Sequence, residues 1–167
     1  MNELKELSHF ISHFHLDNAD PKVCSAAVQC TLDTVGTALG ALQNPMLASV
    51  KNVYLSWDGS SGHTASLWGE NRKVPLRNAA FLNAMMGHTL ELDDVHTESK
   101  THIGTVVIPA AWALAEHLKL SGKQFLEAVV CGYETMARIG MGLGVSSHRN
   151  KGWHVTGTAG TFGAAAA

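Results

Sequence analysis

The chain has 167 residues, of which 46% are hydrophobic, and this length and composition are sufficient for one buried core. With 12 Lys and Arg against 14 Asp and Glu, it contains no basic cluster of the kind that nucleic-acid binding requires. No stretch reaches the roughly 18 uninterrupted apolar residues of a membrane span, and the charged, His-containing amino terminus is not typical of a signal peptide. We therefore expect a cytoplasmic protein with neither nucleic acid nor a membrane as partner.

The three cysteines, Cys24, Cys30 and Cys131, are odd in number and show no CxxC spacing. Each lies in an apolar, helix-like context. This pattern predicts reduced thiols packed as small hydrophobic side chains, and neither a disulfide framework nor a cysteine-based metal site.

The first part of the chain is predicted to be helical. Apolar residues recur three and four positions apart over 4–14, which indicates one amphipathic helix. Asp20-Pro21 then provides a capping side chain followed by proline at the first helical position, so a second helix begins there. We expect Asn44-Pro45 to end this second helix.

The pattern changes between Lys51 and Pro75. Tyr54, Trp57 and Trp68 are interspersed with turn-forming pairs, and these features predict short extended pieces that form a small hairpin. The turns are expected at Asp58-Gly59 and Ser61-Gly62.

Helical spacing returns after Pro75 and continues to the end of the chain. A third helix is predicted from Leu76 to Leu92, and an Ala-rich one from Gly104 to Lys119 that tolerates Pro109 only near its start. Ser121 and Gln124 form a capping-box pattern that opens a helix reaching about Leu143. A further helix begins in the run TGTAGTFGAAAA and is cut off at Ala167, which predicts a truncated chain. The fold class is therefore all-α, a bundle of helices with one extended segment near 51–75.

The densest group of titratable side chains lies in a polar segment between two apolar helices. A loop held by rigid helices is a common place for catalytic groups. The alternative is an ordinary solvated loop that caps its helices. The residues of this group are Glu91, Asp93, Asp94, His96, Glu98, Lys100 and His102.

A second candidate segment, residues 152–161, places a histidine directly before a glycine-rich helix start. Small residues allow a ligand to approach the backbone, and the unpaired N–H groups of a first helical turn attract a carboxylate. The alternative is that Thr156 or Thr158 caps the helix and that the glycines allow close helix packing.

These segments resemble the two signature motifs of the MmgE/PrpD family, whose members include 2-methylcitrate dehydratase, cis-aconitate decarboxylase and an iminodisuccinate epimerase. The first run is GHTLELDDVH from Gly87 to His96, followed by Thr101-His102 and VVIPA. The second is WHVTGTAGTFGAA from Trp153 to Ala165. The two motifs occur in the expected order, and a looser similarity extends over nearly the whole chain.

The resemblance implies an all-helical first domain, a smaller α+β lid domain further along the sequence, and a homodimer that acts on di- or tricarboxylates. Residues 1–167 would form the amino-terminal part of the helical domain, without the lid domain and the C-terminal helices. The family pattern implies neither a metal nor an organic cofactor.

The resemblance also assigns candidate site residues. The loop histidine of the family corresponds to His102, and the first acidic position corresponds to Glu91, one methylene longer than the usual Asp. The threonine usual after the acidic run is replaced by Val95. A lysine expected in the family lies beyond Ala167. Together with the chemistry of the loop, this predicts catalytic roles for His102, Glu91 and Asp93, with Glu91 or Asp93 orienting a histidine or a water.

Substrate binding is predicted at the second motif, because cationic groups and N–H donors must hold the carboxylates that do not react. His154 corresponds to the histidine of the family's second signature. The predicted substrate-binding residues are His154, Thr156, Gly157, Thr158 and Lys100, and no metal ligand is predicted.

The predicted activity is that of a lyase of the 2-methylcitrate dehydratase type, which eliminates water beside a carboxylate by acid–base catalysis. Decarboxylation and epimerisation are the alternatives within the family. From other classes, we consider a metal-dependent hydrolase using Asp93, Asp94, His96 and His102, and a non-catalytic helical interaction module.

Overall fold

The computed structural model describes residues 2–56 and 62–167. Within these residues the chain forms eight α-helices and one two-stranded sheet, which confirms the all-α fold class. The helices are α1 (Glu3–His13), α2 (Pro21–Gly40), α3 (Pro45–Ser56), α4 (Leu76–His88), α5 (Gly104–Leu118), α6 (Gly122–Gly142), α7 (Val145–Asn150) and α8 (Val155–Ala166). The strands are β1 (Thr64–Ser66) and β2 (Lys73–Pro75), and a 3-10 turn spans Leu16–Asn18. None of the helices in the described ranges is long and apolar enough to cross a membrane.

The two predicted helix caps are present. The Asp20 carboxylate accepts a hydrogen bond from the Lys22 amide at 2.8 Å, with Pro21 at the first position of α2. At α6, the Ser121 hydroxyl accepts from the Gln124 amide, and the Gln124 side chain accepts from the Ser121 amide. Both bonds satisfy N–H groups that the start of a helix leaves unpaired.

Helix α3 was not predicted, and the extended segment expected near 51–75 starts later than its predicted boundary. Residues 51–56 are helical, because Asn44-Pro45 starts a helix after ending the previous one. The Asn44 side chain accepts a hydrogen bond from the Met46 amide at 3.0 Å, as Asp20 does at the start of α2. Trp57 and the turns predicted at Asp58-Gly59 and at Ser61 lie outside the described residues.

The predicted hairpin is confirmed over a shorter range. Strands β1 and β2 are antiparallel, with Ala65 opposite Val74. The Asn83 side chain of α4 accepts from the Trp68 amide and donates to the Ser66 carbonyl, each at 3.0 Å. Glu116 of α5 accepts from the Ser66 amide and hydroxyl at 2.9 and 2.8 Å. These bonds fix the hairpin on α4 and α5.

The core lies between the long helices. Helix α4 packs on α5 and α2, and α5 packs on α6 and α8. Helices α6 and α8 approach closely at Gly132 and Gly163, where a Cβ on Gly163 would lie 2.8 Å from the Cβ of Met136. A smaller buried cluster of Ile103, Val107, Met136 and Ala159 joins α5, α6 and α8 next to the polar loop.

The end of α4 and the presence of α7 differ from the sequence prediction. Helix α4 ends at His88 and not at Leu92, with Thr89 as its C-terminal cap. Helix α7 (Val145–Asn150) was not predicted. It follows Gly144, whose backbone adopts the left-handed conformation with φ of 67°. The earlier end of α4 leaves residues 89–103 as the polar loop between α4 and α5.

Candidate active site

The centre of the polar loop is the carboxylate of Asp93, whose side chain is completely buried. His88, the last residue of α4, places Nδ1 at 3.1 and 3.0 Å from the two carboxylate oxygens. His102, which lies just before α5, places its Nδ1 3.3 Å from Oδ2 of the same group. One buried carboxylate therefore contacts two imidazoles that come from opposite ends of the loop.

The two imidazoles are adjacent and partly open to solvent. Their ring centroids are 4.7 Å apart in an edge-to-face arrangement. The His102 side chain is 24% exposed and that of His88 is 37% exposed. The Nδ1 atom of His102 is buried and contacts Asp93 without the alignment of a hydrogen bond. Because Nδ1 faces Asp93 in both rings, Nε2 is the ring nitrogen that remains for a substrate.

Asp94, the next residue, faces away from this pair and anchors the loop to the scaffold. Its carboxylate accepts from the Gly104 amide at 2.9 Å and from the Tyr133 hydroxyl at 2.7 Å. Burial raises the pKa of the Asp94 carboxyl, and the bonds from Tyr133 and Gly104 oppose this rise. Burial and the neighbouring Asp94 raise the pKa of Tyr133, so this hydroxyl stays protonated as a donor.

The tip of the loop is closed by hydroxyl groups. His96 and Thr101 form an antiparallel bridge. The Ser99 hydroxyl lies 2.8 Å from Nδ1 of His96 and 2.6 Å from the Thr101 hydroxyl. Ser99 and Thr101 are both completely buried, so this small network defines the path of the chain before His102.

Glu91 and Lys100, two predicted site residues, are exposed at positions with positive φ of 49° and 55°. Such a conformation is uncommon for residues other than glycine and usually marks a tight local turn. The Glu91 amide donates to the His88 carbonyl at 3.0 Å. Both residues therefore turn the loop, while their side chains are open to solvent.

The second motif contacts the loop through Thr156. The Thr156 hydroxyl accepts a hydrogen bond from the backbone amide of His102 at 3.1 Å, and Thr156 is buried. His154 is exposed and caps α8, with Nδ1 accepting from the Gly157 amide at 3.4 Å. The Thr158 hydroxyl lies 3.0 Å from Nε2 of His148. The start of α8 thus lies beside the loop that carries His102.

The structure brings some of the predicted residues together and adds one. Asp93, His102 and Thr156 are connected, whereas Glu91 and Lys100 have exposed side chains. His88 was not predicted, although it lies in the quoted GHTLELDD run. The signal that could have found it is its position within the first motif, five residues before Asp93.

One group of described residues has the spacing of a metal site: His88, Asp93 and His102 offer ligand atoms within 4.8 Å of one another. Two imidazoles and one carboxylate are ligands that suit zinc or iron. Asp94 and His96, which the hydrolase alternative included, contact Tyr133 and Ser99 and lie outside this group. His88 takes their place in any metal-binding interpretation.

A helical scaffold that holds two imidazoles, one from each end of a loop, against a buried carboxylate has the components of a proton-transfer site. The chain belongs to the MmgE/PrpD family, since residues 5–167 match the MmgE/PrpD N-terminal domain. This confirms the resemblance inferred from the two motifs.

Several curated proteins are similar to the chain. The cis-aconitate decarboxylase-like protein oryM of Aspergillus oryzae is 31% identical over 173 residues, covering 99% of this chain and 36% of that protein. The cis-aconitate decarboxylase of Aspergillus terreus is 29% identical over 154 residues, covering 89% of this chain and 31% of that protein. The cis-aconitate decarboxylase of Homo sapiens is 33% identical over 113 residues, covering 65% of this chain and 23% of that protein. The chain spans about a third of the length of the two fungal relatives.

Proposed function

We propose that the protein is a lyase that acts on a small di- or tricarboxylate, with His102 as a proton-transfer residue. The observation that carries this proposal is the buried Asp93 carboxylate in contact with both His88 and His102. A carboxylate beside an imidazole fixes the orientation of the ring and stabilises its protonated form, which is the state that an acid–base step must reach.

Two imidazoles on one carboxylate suit the reactions of this family. Loss of water beside a carboxylate needs a base that removes a proton from carbon and an acid that protonates the departing hydroxyl. Loss of CO2 leaves the electron pair of the broken C–C bond on carbon, and an acid must then protonate that carbon. We assign these transfers to Nε2 of His102, with Asp93 as its positioning residue and His88 as the second imidazole.

Two of the predicted residues, His154 and Lys100, are proposed to bind the substrate. His154 is exposed at the start of α8, and this helix start lies beside the loop that carries His102. A substrate carboxylate between the two segments would meet the His154 ring and the positive end of the helix dipole. Lys100, exposed on the same loop, would contribute positive charge. Roles for Glu91, Gly157 and Thr158, and a homodimeric assembly, stay predictions.

The choice among the family's reactions shifts with the comparisons. The sequence alone favoured dehydration of the 2-methylcitrate type. Two of the relatives described above are named cis-aconitate decarboxylase and the third a cis-aconitate decarboxylase-like protein, which favours testing decarboxylation of a cis-aconitate-like tricarboxylate first. Dehydration is the next reaction to test, followed by epimerisation.

The test is proton NMR in D2O with the protein expressed from its complete gene, incubated separately with cis-aconitate, 2-methylcitrate and other small di- and tricarboxylates. We expect decarboxylation, dehydration or C–H exchange that His102→Ala reduces by at least about 100-fold, a typical contribution of one acid–base group. His13→Ala, which removes an exposed imidazole on α1, is the matched control and should retain the wild-type rate. If the folded wild-type protein converts none of these carboxylates, the result would contradict the proposal.

A second candidate is a metal-dependent hydrolase, favoured by the spacing of His88, Asp93 and His102. In that case, titration calorimetry with Zn2+ should give one site per chain, His88→Ala should abolish it, and a chelator should remove all turnover. The lyase proposal expects turnover that is insensitive to the chelator.

A further inference from the structure

We propose that Thr156 is a positioning residue that holds the backbone of His102, and that it does not bind the substrate directly. The inference rests on the proposed function, in which His102 transfers a proton. It differs from the sequence prediction, which assigned Thr156 to substrate binding. Its basis is the hydrogen bond from the His102 amide to the Thr156 hydroxyl, which joins residues 54 positions apart.

Thr156 faces the interior of the protein. It is 6% exposed, and the buried residues of α8 form one face of the helix that packs toward α5 and α6. His154, two residues before it, and Gly157, directly after it, are exposed. A ligand at the start of α8 would therefore meet His154 and Gly157, while the Thr156 hydroxyl is directed to the protein backbone.

Two amides near His102 in sequence, those of Thr101 and Gly104, have specific acceptors. The Thr101 amide donates to the His96 carbonyl at 3.4 Å, and the Gly104 amide donates to Asp94 at 2.9 Å. Between these two anchors, the only acceptor for the His102 amide in the described part of the chain is the Thr156 hydroxyl. Removing this acceptor frees the backbone at the residue whose ring contacts Asp93 at 3.3 Å.

The geometry predicts an effect on the chemical step more than on binding. A small displacement of the His102 ring changes the distance over which a proton moves, and misplacement of about 1 Å can cost about 100-fold in rate. The groups proposed to hold the substrate, His154 and Lys100, do not depend on the Thr156 hydroxyl for any bond described here. We therefore expect a reduced kcat with little change in KM.

The test compares three variants of the protein expressed from its complete gene. Thr156→Val removes only the hydroxyl and keeps the shape of the side chain, and Thr156→Ser restores the acceptor. Thr135→Val is the matched control, because Thr135 is 3% exposed on α6 and its hydroxyl has no hydrogen-bond partner among the described residues. Melting curves verify that each variant is folded.

We expect Thr156→Val to lower kcat by about 10- to 100-fold with KM within about twofold of wild type. Hydrogen exchange at the His102 amide, measured by NMR, should become faster in the same variant. Thr156→Ser should restore both quantities, and Thr135→Val should change neither.

Three results would overturn the inference: a raised KM with unchanged kcat in Thr156→Val, an unchanged exchange rate at the His102 amide, or an equal loss of kcat in Thr135→Val. If the wild-type protein turns over no carboxylate, the proposed function fails. The exchange rates then decide separately whether Thr156 holds His102, since they need no substrate.

Discussion

Removing the Tyr133 hydroxyl tests how the loop is anchored to the scaffold. In Tyr133→Phe, Asp94 keeps the Gly104 amide but loses the donor at 2.7 Å. A hydrogen bond to a charged group contributes about 1.5–3 kcal/mol, and one between neutral groups contributes about 0.5–1.5 kcal/mol. The free energy of unfolding should therefore fall by about 1.5–3 kcal/mol where Asp94 is ionised, which corresponds to a decrease of about 3–12 °C in Tm.

The loss of stability in Tyr133→Phe should depend on pH because the pKa of Asp94 is raised by burial. A carboxyl with a raised pKa in the folded state contributes stability that is fully present below its unfolded value of 3.8 and is lost as the pH rises through the folded value. Loss of the Tyr133 bond raises the folded pKa further, so the variant loses more stability as the pH rises. The difference in free energy of unfolding between wild type and Tyr133→Phe should decrease to about 0.5–1.5 kcal/mol once Asp94 is protonated.

Urea unfolding of both proteins at pH 8 and at pH 4, followed by circular dichroism, measures this difference. A double-mutant cycle with Asp94→Asn isolates the pair, and in that background Tyr133→Phe should have a smaller effect that does not vary with pH. An equal cost at both pH values, or the same cost in the Asp94→Asn background, would refute the reasoning.

Three further experiments probe other parts of the structure. Gly104→Ala should lower the free energy of unfolding by about 1–3 kcal/mol, because its Cβ would lie 2.4 Å from the Thr34 hydroxyl and 2.7 Å from Asp94; a neutral result in urea unfolding would contradict this. Asp20→Ala should cost about 1 kcal/mol through loss of the α2 cap, and Asp20→Asn, which keeps an acceptor, should not. Burial raises the pKa of Cys131 to about 11. Its alkylation by iodoacetamide, followed by mass spectrometry, should therefore be slow at pH 8 and rise about tenfold per pH unit until the pH approaches about 11; rapid labelling at pH 8 would refute this.

Much of the fold was accessible from periodicity and capping. The start of α2 at Asp20-Pro21 and that of α6 at Ser121 follow from side chains that bond their own backbone, which is local chemistry. Asn44-Pro45 carries the same signal as Asp20-Pro21, but it was interpreted only as the end of the preceding helix. The error was one of interpretation, since α3 begins with the same kind of cap.

The site was less accessible, because its geometry depends on contacts between distant residues. Asp93 and Asp94 are neighbours in sequence, yet one contacts two imidazoles and the other a tyrosine on α6. No periodicity distinguishes them. His88 was missed because α4 was predicted to continue to Leu92, which would have kept His88 inside a helix. The family resemblance identified His102 and the second motif, while the bond between them required the fold.

The bond between His102 and Thr156 also has a consequence for the order in which the protein is made. His102 leaves the ribosome 54 residues before Thr156, whose hydroxyl accepts its amide hydrogen bond. At roughly 5–20 residues per second, this interval lasts about 3–11 s. During that time α4, α5 and their loop can already pack together, while the His102 amide has no partner from α8. Pulse-labelled chains stalled before Val155 should therefore show rapid amide exchange at His102, and synthesis through α8 should suppress it.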